Sequence, residues 1–489
     1  MLFNSPTFII FFVCVFSLYW ALRARTPQNV LLLAASYVFY GAWSWKFLAL
    51  LFASTLFDFA CGMLIAAATE QRRKRLFLVA SVVANLALLA TFKYLGFFVH
   101  EAAALLEWLG FHPSIPVLSI VLPVGISFYT FQSLGYVVDV YRGKVPPERR
   151  LLEYALYVAF FPQLVAGPIE RAGHLLPQFH RDRAWSSAAF ESGLQLMIWG
   201  LFKKIVIADN LAPYVNAVYA APAEYSGVAI VTATVFFAFQ IYCDFSGYTD
   251  TARGVARTLG FELMRNFNHP YVSRNPVEFW RRWHISLSQW FQDYLYYPLA
   301  MRYMRKGGWA SKYKAHIIAM GLIGFWHGAN WTFVTFGLYW GFVIAIYLYL
   351  TERLAASAPP EWTSRIAHRF TPLRDALSVG VMFVIVSIGW VFFRAPSMSE
   401  AWYMLSHVFS TAGAAVVRRT DVPGAAILWA LIAGLVLAEW AFRRWSPIVS
   451  GMVARFPGVA WRYALASGIL FSYLITQNGT AEPFIYFQF

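Results

Sequence analysis

The sequence predicts an all-α polytopic membrane protein. Of its 489 residues, 59% are hydrophobic and only 13% are charged. Soluble domains carry about 25% charged residues, so roughly half of the usual charge is missing. Apolar runs of about twenty residues recur along the chain, and each is long enough to cross a bilayer as a helix. By that length criterion about eleven to thirteen segments are candidates, some of them re-entrant.

The first helices are predicted at 6–22, 29–45, 47–67 and 76–98. Two later apolar segments are different because proline and glycine interrupt them. They are LPVGISFYTFQSLGYVVDVYRG at 122–143 and FFPQLVAGPIER at 160–171. Broken backbone is tolerated at membrane depth only where protein covers it. We therefore expect both segments to be buried in protein.

The rest of the chain is predicted to belong to the same domain. Helices near 187–208 and 226–256 precede the motif-bearing part, and the domain core is expected at about 120–350. A polar, proline-containing stretch at 352–373 is the one candidate linker, and about three further helices follow it. No internal repeat is visible, so we predict a single integral-membrane domain over 1–489.

The net charge of +15 is explained by membrane topology. The connection at 99–113 contains Glu101 and Glu107 but no lysine or arginine. Cytoplasmic loops carry the excess of basic residues, which predicts that the amino terminus lies outside. This distribution argues against nucleic-acid binding. The basic residues of the cytoplasmic clusters are Arg23, Arg25, Arg72, Arg73, Lys74, Arg75, Arg142, Lys144, Arg149 and Arg150.

Several common chemistries have no pattern in this chain. Cys14, Cys61 and Cys243 lie in apolar segments without paired spacing, so neither a disulfide framework nor a zinc site is predicted. The zinc-protease H-E-x-x-H pattern, the G-x-S-x-G turn and the phosphate-binding glycine patterns are missing from the sequence. We therefore predict no metal ion and no bound cofactor.

Acidic and basic residues interrupt the apolar helix QIYCDFSGYTDTARG at 240–254. Asp250 and Arg253 are three residues apart and share a helix face, so we expect them to pair. Asp244 lies earlier in the same helix. An internal ion pair that holds helices together is the favoured interpretation of these residues, and catalysis by a carboxylate is the alternative.

The first histidine motif is FWRRWHISLS at 279–288. Asn275 and Pro276 predict a helix start just before it. Glu278 and Arg282 are spaced as an i,i+4 pair on that helix. His284 follows two residues later. An interfacial helix anchored by aromatic and arginine side chains would explain the motif without chemistry, so a functional His284 and a structural one both stay open.

The second histidine motif is FWHGANWTF at 325–333. Gly321, Gly324 and Gly328 lie at i, i+3 and i+7, where they would admit a neighbouring helix or a substrate chain. His327 lies between Trp326 and Gly328. Its ordinary pKa suits a general base near neutral pH, although a packing histidine bonded to a backbone carbonyl is the structural alternative. We favour the functional interpretation.

These motifs resemble the membrane-bound O-acyltransferase (MBOAT) family, in particular its bacterial branch typified by the membrane subunit of alginate O-acetylation. Most of the chain takes part in the resemblance. One departure is AMRYMRKGG at 300–308, where relatives have a glycine-glycine-asparagine run. The matching stretches are LLLAASYVFYGAWSWKFL (31–48), 122–143, 160–171, YCDFSGYTD (242–250), NFNHPYVSRNPVEFWRRWHISLSQWFQDYLYYPL (266–299) and 325–333.

The resemblance implies a ring of tilted transmembrane helices around a central tunnel, located in the bacterial inner membrane. His327 corresponds to the family's catalytic histidine, and His284 to a second histidine of the bacterial branch. Acetyl-CoA is the implied acyl donor, and the implied partners are an extracytoplasmic acetyltransferase protein and a polysaccharide acceptor. We expect substrate contacts from Asn330, Trp326, Trp283, Arg281, Arg282 and Asp244.

The resulting hypothesis is acetyl transfer from cytoplasmic acetyl-CoA through the tunnel to an extracytoplasmic hydroxyl. In it, His327 is the general base, and His284 or Asn330 contacts the oxyanion. Within the same family, the alternative is D-alanyl transfer from a phosphopantetheine carrier protein to teichoic acid. A solute transporter is the alternative from another class, but transporters commonly show paired halves, and the sequence shows none.

Overall fold

The computed structural model describes residues 1, 3–112, 121–305, 311–356, 371–415, 417, 424–455 and 484–485. Within these residues the regular structure is helical, apart from one isolated β-bridge between Tyr225 and Ala414. The all-α fold class is therefore confirmed. Residues 357–370 of the predicted linker and 306–308 of the divergent loop lie outside the described residues.

Several helices are long and apolar enough to cross a membrane, by length and composition. Two shorter apolar helices, Pro6–Ala21 and Ala425–Ala441, accompany them in the described part of the chain. The polytopic membrane protein predicted from composition is confirmed, whereas the count of eleven to thirteen segments and the ring around a tunnel stay predictions. The five long helices are Trp45–Ala67, Gln71–Trp108, Gly227–Thr258, Trp331–Leu354 and Thr371–Arg394.

The first of two compact units comprises Met1–Met197 and Tyr248–Arg265. Buried Asp58 accepts hydrogen bonds from Ser81 Oγ (2.6 Å) and Asn85 Nδ2 (2.9 Å), which joins the helices Trp45–Ala67 and Gln71–Leu89. The other helices of this unit are Pro6–Ala21, Arg25–Gly41, Ala90–Tyr94, Leu95–Trp108, Ile126–Tyr141, Leu151–Ala159, Phe161–Leu164, Ala172–Phe179, Ser187–Leu201 up to Met197, and the part of Gly227–Thr258 that begins at Tyr248.

Both proline- and glycine-interrupted segments lie in this unit and are buried. The helix Ile126–Tyr141 begins after Gly125, which has a φ of 76°. A Cβ at Gly125 would come within 2.6 Å of the main-chain oxygen of Leu164, so only glycine fits. The second segment is helical only to Leu164, and residues 161–170 are buried throughout. The expected cover by protein is confirmed. The second segment is broken as predicted, whereas the first is interrupted only before Ile126, because its helix continues through Gly135 to Tyr141.

The second unit comprises Ile198–Gly247 and Asn266–Phe489, and it contains every residue predicted for the site. The boundary between the units does not fall at 352–373. The single domain over 1–489 stays a prediction. This unit also includes the part of the helix Gly227–Thr258 that ends at Gly247. Its other helices longer than three residues are Phe202–Ala208, Asp209–Ala220, Pro276–Arg282, Ile285–Phe291, Gln292–Tyr296, Tyr297–Arg305, Ser311–His327, Trp331–Ala356, Thr371–Arg394, Met398–Ser406 and Ala425–Arg455.

Glycines bring the helices Ser311–His327 and Trp331–Ala356 into close contact. A Cβ at Gly324 would lie 2.7 Å from the Cα of Gly337 and would also overlap the main-chain oxygen of Phe333. A Cβ at Gly328 would overlap the Phe333 ring. Small residues permit this approach of two backbones. The sequence left open whether these glycines admit a neighbouring helix or a substrate chain. Gly324 and Gly328 lie against the neighbouring helix.

Candidate active site

The first motif begins with a capped helix. The side chain of Asn275 accepts a hydrogen bond from Glu278 N at 2.8 Å, and Pro276 occupies the first turn of Pro276–Arg282. Proline is tolerated there because the first N–H groups of a helix have no intrahelical acceptor. Arg282 Nη2 lies 2.8 Å from Glu278 Oε1. The predicted helix start and the predicted Glu278–Arg282 pair are both confirmed.

His284 lies between two short helices and is fully buried. It adopts a left-handed backbone conformation, with φ 40° and ψ 57°, and immediately precedes the helix Ile285–Phe291. Its ring packs edge-on against Phe245, with the ring centroids 4.7 Å apart. Burial disfavours the charged imidazolium and lowers the pKa of His284 to about 3. The side chain is therefore a neutral imidazole near neutral pH.

His327 is the last residue of the helix Ser311–His327 and is 5% exposed. Aromatic rings surround it: the centroid of Phe393 lies 5.1 Å from that of the imidazole, and the centroid of Phe336 lies 6.1 Å away. The helix ends at His327, and the next helix begins at Trp331. The sequence order FWHGANW thus sets the imidazole at a helix end among apolar rings.

Trp326 contacts both histidines. Its ring centroid lies 4.8 Å from the His327 imidazole and 6.4 Å from the His284 imidazole. The indole itself is 5% exposed. Two motifs that are about forty residues apart in sequence therefore meet at one buried aromatic site. The low local dielectric of such a site strengthens electrostatic interactions with a charge that forms there.

Trp283 belongs to a buried aromatic cluster next to His284. It is 1% exposed, and its ring centroid lies 4.8 Å from that of Trp390 and 5.0 Å from that of Phe267. Phe267 also stacks on the His284 ring at 6.4 Å. Trp283 is therefore part of the aromatic packing around His284. Its predicted substrate contact stays a prediction.

Two of the other polar residues predicted to contact substrate, Arg282 and Asn330, have protein partners. Arg281 is exposed, whereas Arg282 binds Glu278 and also donates to the main-chain oxygen of Asn268 at 3.1 Å. Asn330 Oδ1 accepts from Thr332 N at 3.0 Å, and Asn330 Nδ2 donates to Pro396 O at 3.2 Å. Asn330 thus starts the helix after His327 and holds it to the chain near 396.

Asp244 lies in a buried ion-pair cluster. Its Oδ1 is 2.8 Å from Lys204 Nζ, and Lys204 Nζ is also 2.8 Å from Asp209 Oδ1. The main-chain N of Ile485 donates to Asp244 Oδ2 at 2.7 Å. These contacts match the structural interpretation of Asp244, and its predicted substrate contact stays a prediction. Among the described residues no group of three or more His, Cys, Asp or Glu side chains could hold a metal ion.

Asp250 and Arg253 belong to the first unit. Arg253 Nη1 lies 3.2 Å from Asp250 Oδ1, which confirms the pairing predicted from their spacing. One residue that the sequence did not single out is Asn266, whose side chain lies 3.0 Å from His284. In the sequence, Asn266 is the first residue of the NFNHP stretch. Nothing in that stretch shows that its side chain contacts a histidine 18 residues later in the chain.

Similarity to known proteins identifies the class of protein to which this site belongs. The chain belongs to the membrane-bound O-acyltransferase (MBOAT) family, because the model of that family matches residues 32–368, more than half of the chain. It is thus a multi-pass membrane protein and an O-acyltransferase.

Individual relatives agree with this family. The chain is 36% identical to the probable alginate O-acetylase AlgI of Azotobacter vinelandii over 100% of both chains. It is 33% identical to the peptidoglycan O-acetyltransferase of Helicobacter pylori, over 83% of this chain and 79% of that protein. A teichoic acid D-alanyltransferase of Streptococcus thermophilus is 29% identical over 46% of this chain and 56% of its own length.

Proposed function

We propose that this protein is an inner-membrane O-acetyltransferase with its amino terminus outside. It transfers an acetyl group from cytoplasmic acetyl-CoA through a membrane tunnel to an extracytoplasmic hydroxyl, on a polysaccharide, a cell-wall glycan or a partner protein that completes the transfer. The observation that carries the proposal is the buried site where His284 and His327 both contact Trp326. The names of the alginate and peptidoglycan relatives support acetyl as the cargo and a glycan as the acceptor.

In the proposed mechanism His327 is the general base. It takes the proton from the acceptor hydroxyl while that oxygen attacks the carbonyl carbon of the acetyl thioester. A tetrahedral oxyanion forms, and the carbon–sulfur bond then breaks. The proton on His327 passes to the departing CoA thiolate, so the products are the acetyl ester and the free CoA thiol.

The aromatic walls around His327 support this role. Phe393, Phe336 and Trp326 pack around the imidazole of His327, which is 5% exposed, so water has little access to it. Water exclusion protects the thioester from hydrolysis during transfer.

D-alanyl transfer is the second candidate, but the observations favour acetyl transfer. The D-alanyltransferase match covers less than half of this chain, whereas the O-acetylase match covers all of it. Membranes that contain the protein should consume labelled acetyl-CoA and should leave a D-alanyl carrier protein unchanged. Transfer from the D-alanyl carrier alone would reverse this assignment.

The test of the proposed function compares His327→Ala with His316→Ala. His316 lies on the same helix, and its Nδ1 contacts the main-chain oxygen of Lys312 at 2.9 Å, away from the site. Loss of a general base lowers the rate by about 100-fold or more. We expect mass spectrometry of surface glycans to find no O-acetyl groups with His327→Ala and normal acetylation with His316→Ala. Near-normal acetylation by a folded, inserted His327→Ala protein would disprove the role of His327.

A further inference from the structure

Asn266 is a buried side chain that the mechanism above does not use. It is 1% exposed and directs its Oδ1 toward the turn that contains His284. Asn266 Oδ1 lies 3.0 Å from His284 Nδ1, 3.2 Å from Ser286 N and 3.0 Å from Ser286 Oγ. The main-chain oxygen of Asn266 also accepts from Ile285 N at 2.9 Å. One residue therefore contacts three successive positions, beginning with the histidine.

These contacts determine which nitrogen of His284 carries a proton. The backbone N–H of Ser286 can only donate, so the Asn266 atom that it meets is the carbonyl oxygen. The same oxygen faces His284 Nδ1, and a carbonyl oxygen can only accept. Nδ1 must therefore carry the hydrogen. In a neutral imidazole Nε2 then keeps its lone pair and accepts hydrogen bonds.

We propose that Asn266 is a positioning residue of the acyl-transfer site, which holds His284 as the neutral imidazole protonated at Nδ1. His284 then acts as a hydrogen-bond acceptor through Nε2, and the oxyanion receives no donor from it. This inference rests on the proposed function and replaces one of the two oxyanion contacts considered from the sequence. It also assigns the two histidines different tasks, because only His327 exchanges a proton with the substrates.

The side chains that pack against the His284 ring are uncharged aromatic rings. The rings of Phe245, Phe267 and Trp326 pack against it and bring no charge. The titratable or charged groups within two positions of these rings in the sequence are Cys243 and Asp244 before Phe245, Arg265 and His269 around Phe267, and His327 after Trp326. Asp244 is paired with Lys204. A carboxylate introduced at position 266 would place a negative charge directly at His284 Nδ1.

The first test is the pH dependence of Asn266→Asp. An aspartate keeps an acceptor oxygen at Nδ1 but stabilises the imidazolium, and a neighbouring carboxylate raises a histidine pKa by about 1–3 units. Burial leaves the pKa of His284 at about 3 in the unaltered protein, so the raised pKa enters the mildly acidic range. Since the protonated ring cannot accept at Nε2, the transfer rate relative to the unaltered protein should fall about tenfold per pH unit below the raised pKa.

Asn268→Asp is the matched control, because it introduces the same charge two residues away on a side chain outside the Asn266–His284 contacts. Its rate relative to the unaltered protein should not change between about pH 5 and pH 8. A constant ratio for Asn266→Asp would contradict the inference. A ratio that rises toward acidic pH would show that His284 works as a cationic donor, which is the opposite of the proposal.

Asn266→Ala separates positioning from simple packing. Without an acceptor at Nδ1 both neutral tautomers become populated, so kcat should fall several-fold while the KM for acetyl-CoA changes little. Asn266→Asp should restore kcat near pH 8 but not at mildly acidic pH. Equal losses for both variants at every pH would mean that Asn266 only stabilises the fold.

Nitrogen NMR tests the tautomer even if neither variant folds. The spectrum of the unaltered protein with ¹⁵N-histidine, minus that of His284→Gly, should show a protonated Nδ1 and an unprotonated Nε2. The reverse pattern would overturn the inference. If the unaltered protein transfers no acetyl group, the proposed function fails, and the NMR spectrum still decides whether Asn266 sets the protonation of His284.

Discussion

At the scale of single residues, backbone strain distinguishes His284. The non-glycine residues with positive φ among those described are His269 (φ 47°), which precedes the first histidine motif, and His284 (φ 40°), which lies in it. A left-handed conformation costs an L-residue about 1–2 kcal/mol. Such strain persists only where surrounding contacts over-determine the backbone, and it clusters at functional sites. At His284 those contacts come from Asn266.

The strain predicts an unusual order of stability for substitutions at His284. Both His284→Gly and His284→Ala remove the imidazole, but glycine adopts positive φ without a steric cost. We expect His284→Gly to be more stable than His284→Ala by about 1 kcal/mol. The measurement is thermal unfolding of both purified variants in one detergent.

The control for this comparison is His316, in the middle of the helix Ser311–His327. Glycine destabilises a helix interior by about 1 kcal/mol relative to alanine. There the order should reverse, with His316→Ala the more stable variant. If alanine is the more stable residue at both positions, the left-handed backbone at His284 stores no strain.

At the scale of elements, the helix pair Ser311–His327 and Trp331–Ala356 positions His327, the proposed general base. His327 ends the first helix, and the close packing of Gly324 against Gly337 sets the distance between the two backbones. Leu338 also lies opposite Gly321, where a Cβ would come within 3.2 Å of its side chain. Any residue that separates the pair also moves His327 away from Phe336.

Gly324→Ala should therefore reduce both stability and activity. The added methyl group would overlap the Phe333 main-chain oxygen and the Gly337 backbone, which cannot move as a side-chain end can. Overpacking of this kind costs about 1–3 kcal/mol. We expect a lower thermal midpoint in detergent and a lower rate of acetyl transfer.

Gly380→Ala is the matched control for the helix pair. Gly380 is exposed in the helix Thr371–Arg394, and a Cβ there would meet no atom within 4 Å. Alanine has the higher helix propensity, so this variant should be as stable as the unaltered protein or slightly more so. Equal destabilisation by both substitutions would mean that the glycines do not determine the approach of the two helices.

At the scale of the whole molecule, the distribution of charge specifies orientation in the bilayer. The candidate span Gln71–Trp108 has Arg72, Arg73, Lys74 and Arg75 at its start and the acidic Glu107 near its end. Basic residues are retained on the cytoplasmic side. The start of this span is therefore predicted inside, and its end outside.

Single cysteines test this orientation in a protein whose Cys14, Cys61 and Cys243 are replaced by alanine. A thiol reagent that does not cross membranes should label Glu107→Cys in intact spheroplasts. It should label Arg73→Cys only after the membrane is permeabilised. The reverse result would invert the predicted topology, and labelling of both positions from outside would show that this helix does not cross the bilayer.

Local signals in the sequence were sufficient for much of the fold. Long apolar runs predicted the membrane helices, and Asn275-Pro276 predicted the start of Pro276–Arg282. The two ion pairs predicted from helical spacing also form. These features depend on residues within one or two helical turns, where periodicity determines which side chains are neighbours.

The sequence by itself determined the all-α membrane class, the family and the two histidine motifs. Tertiary structure alone decided that His284 and His327 share Trp326, that Gly324 packs a helix, and that Asn266 faces His284. The physical reason is the range of the interactions. Hydrophobic periodicity and capping act along the chain, whereas the protonation of a buried imidazole depends on a partner that only folding brings to it.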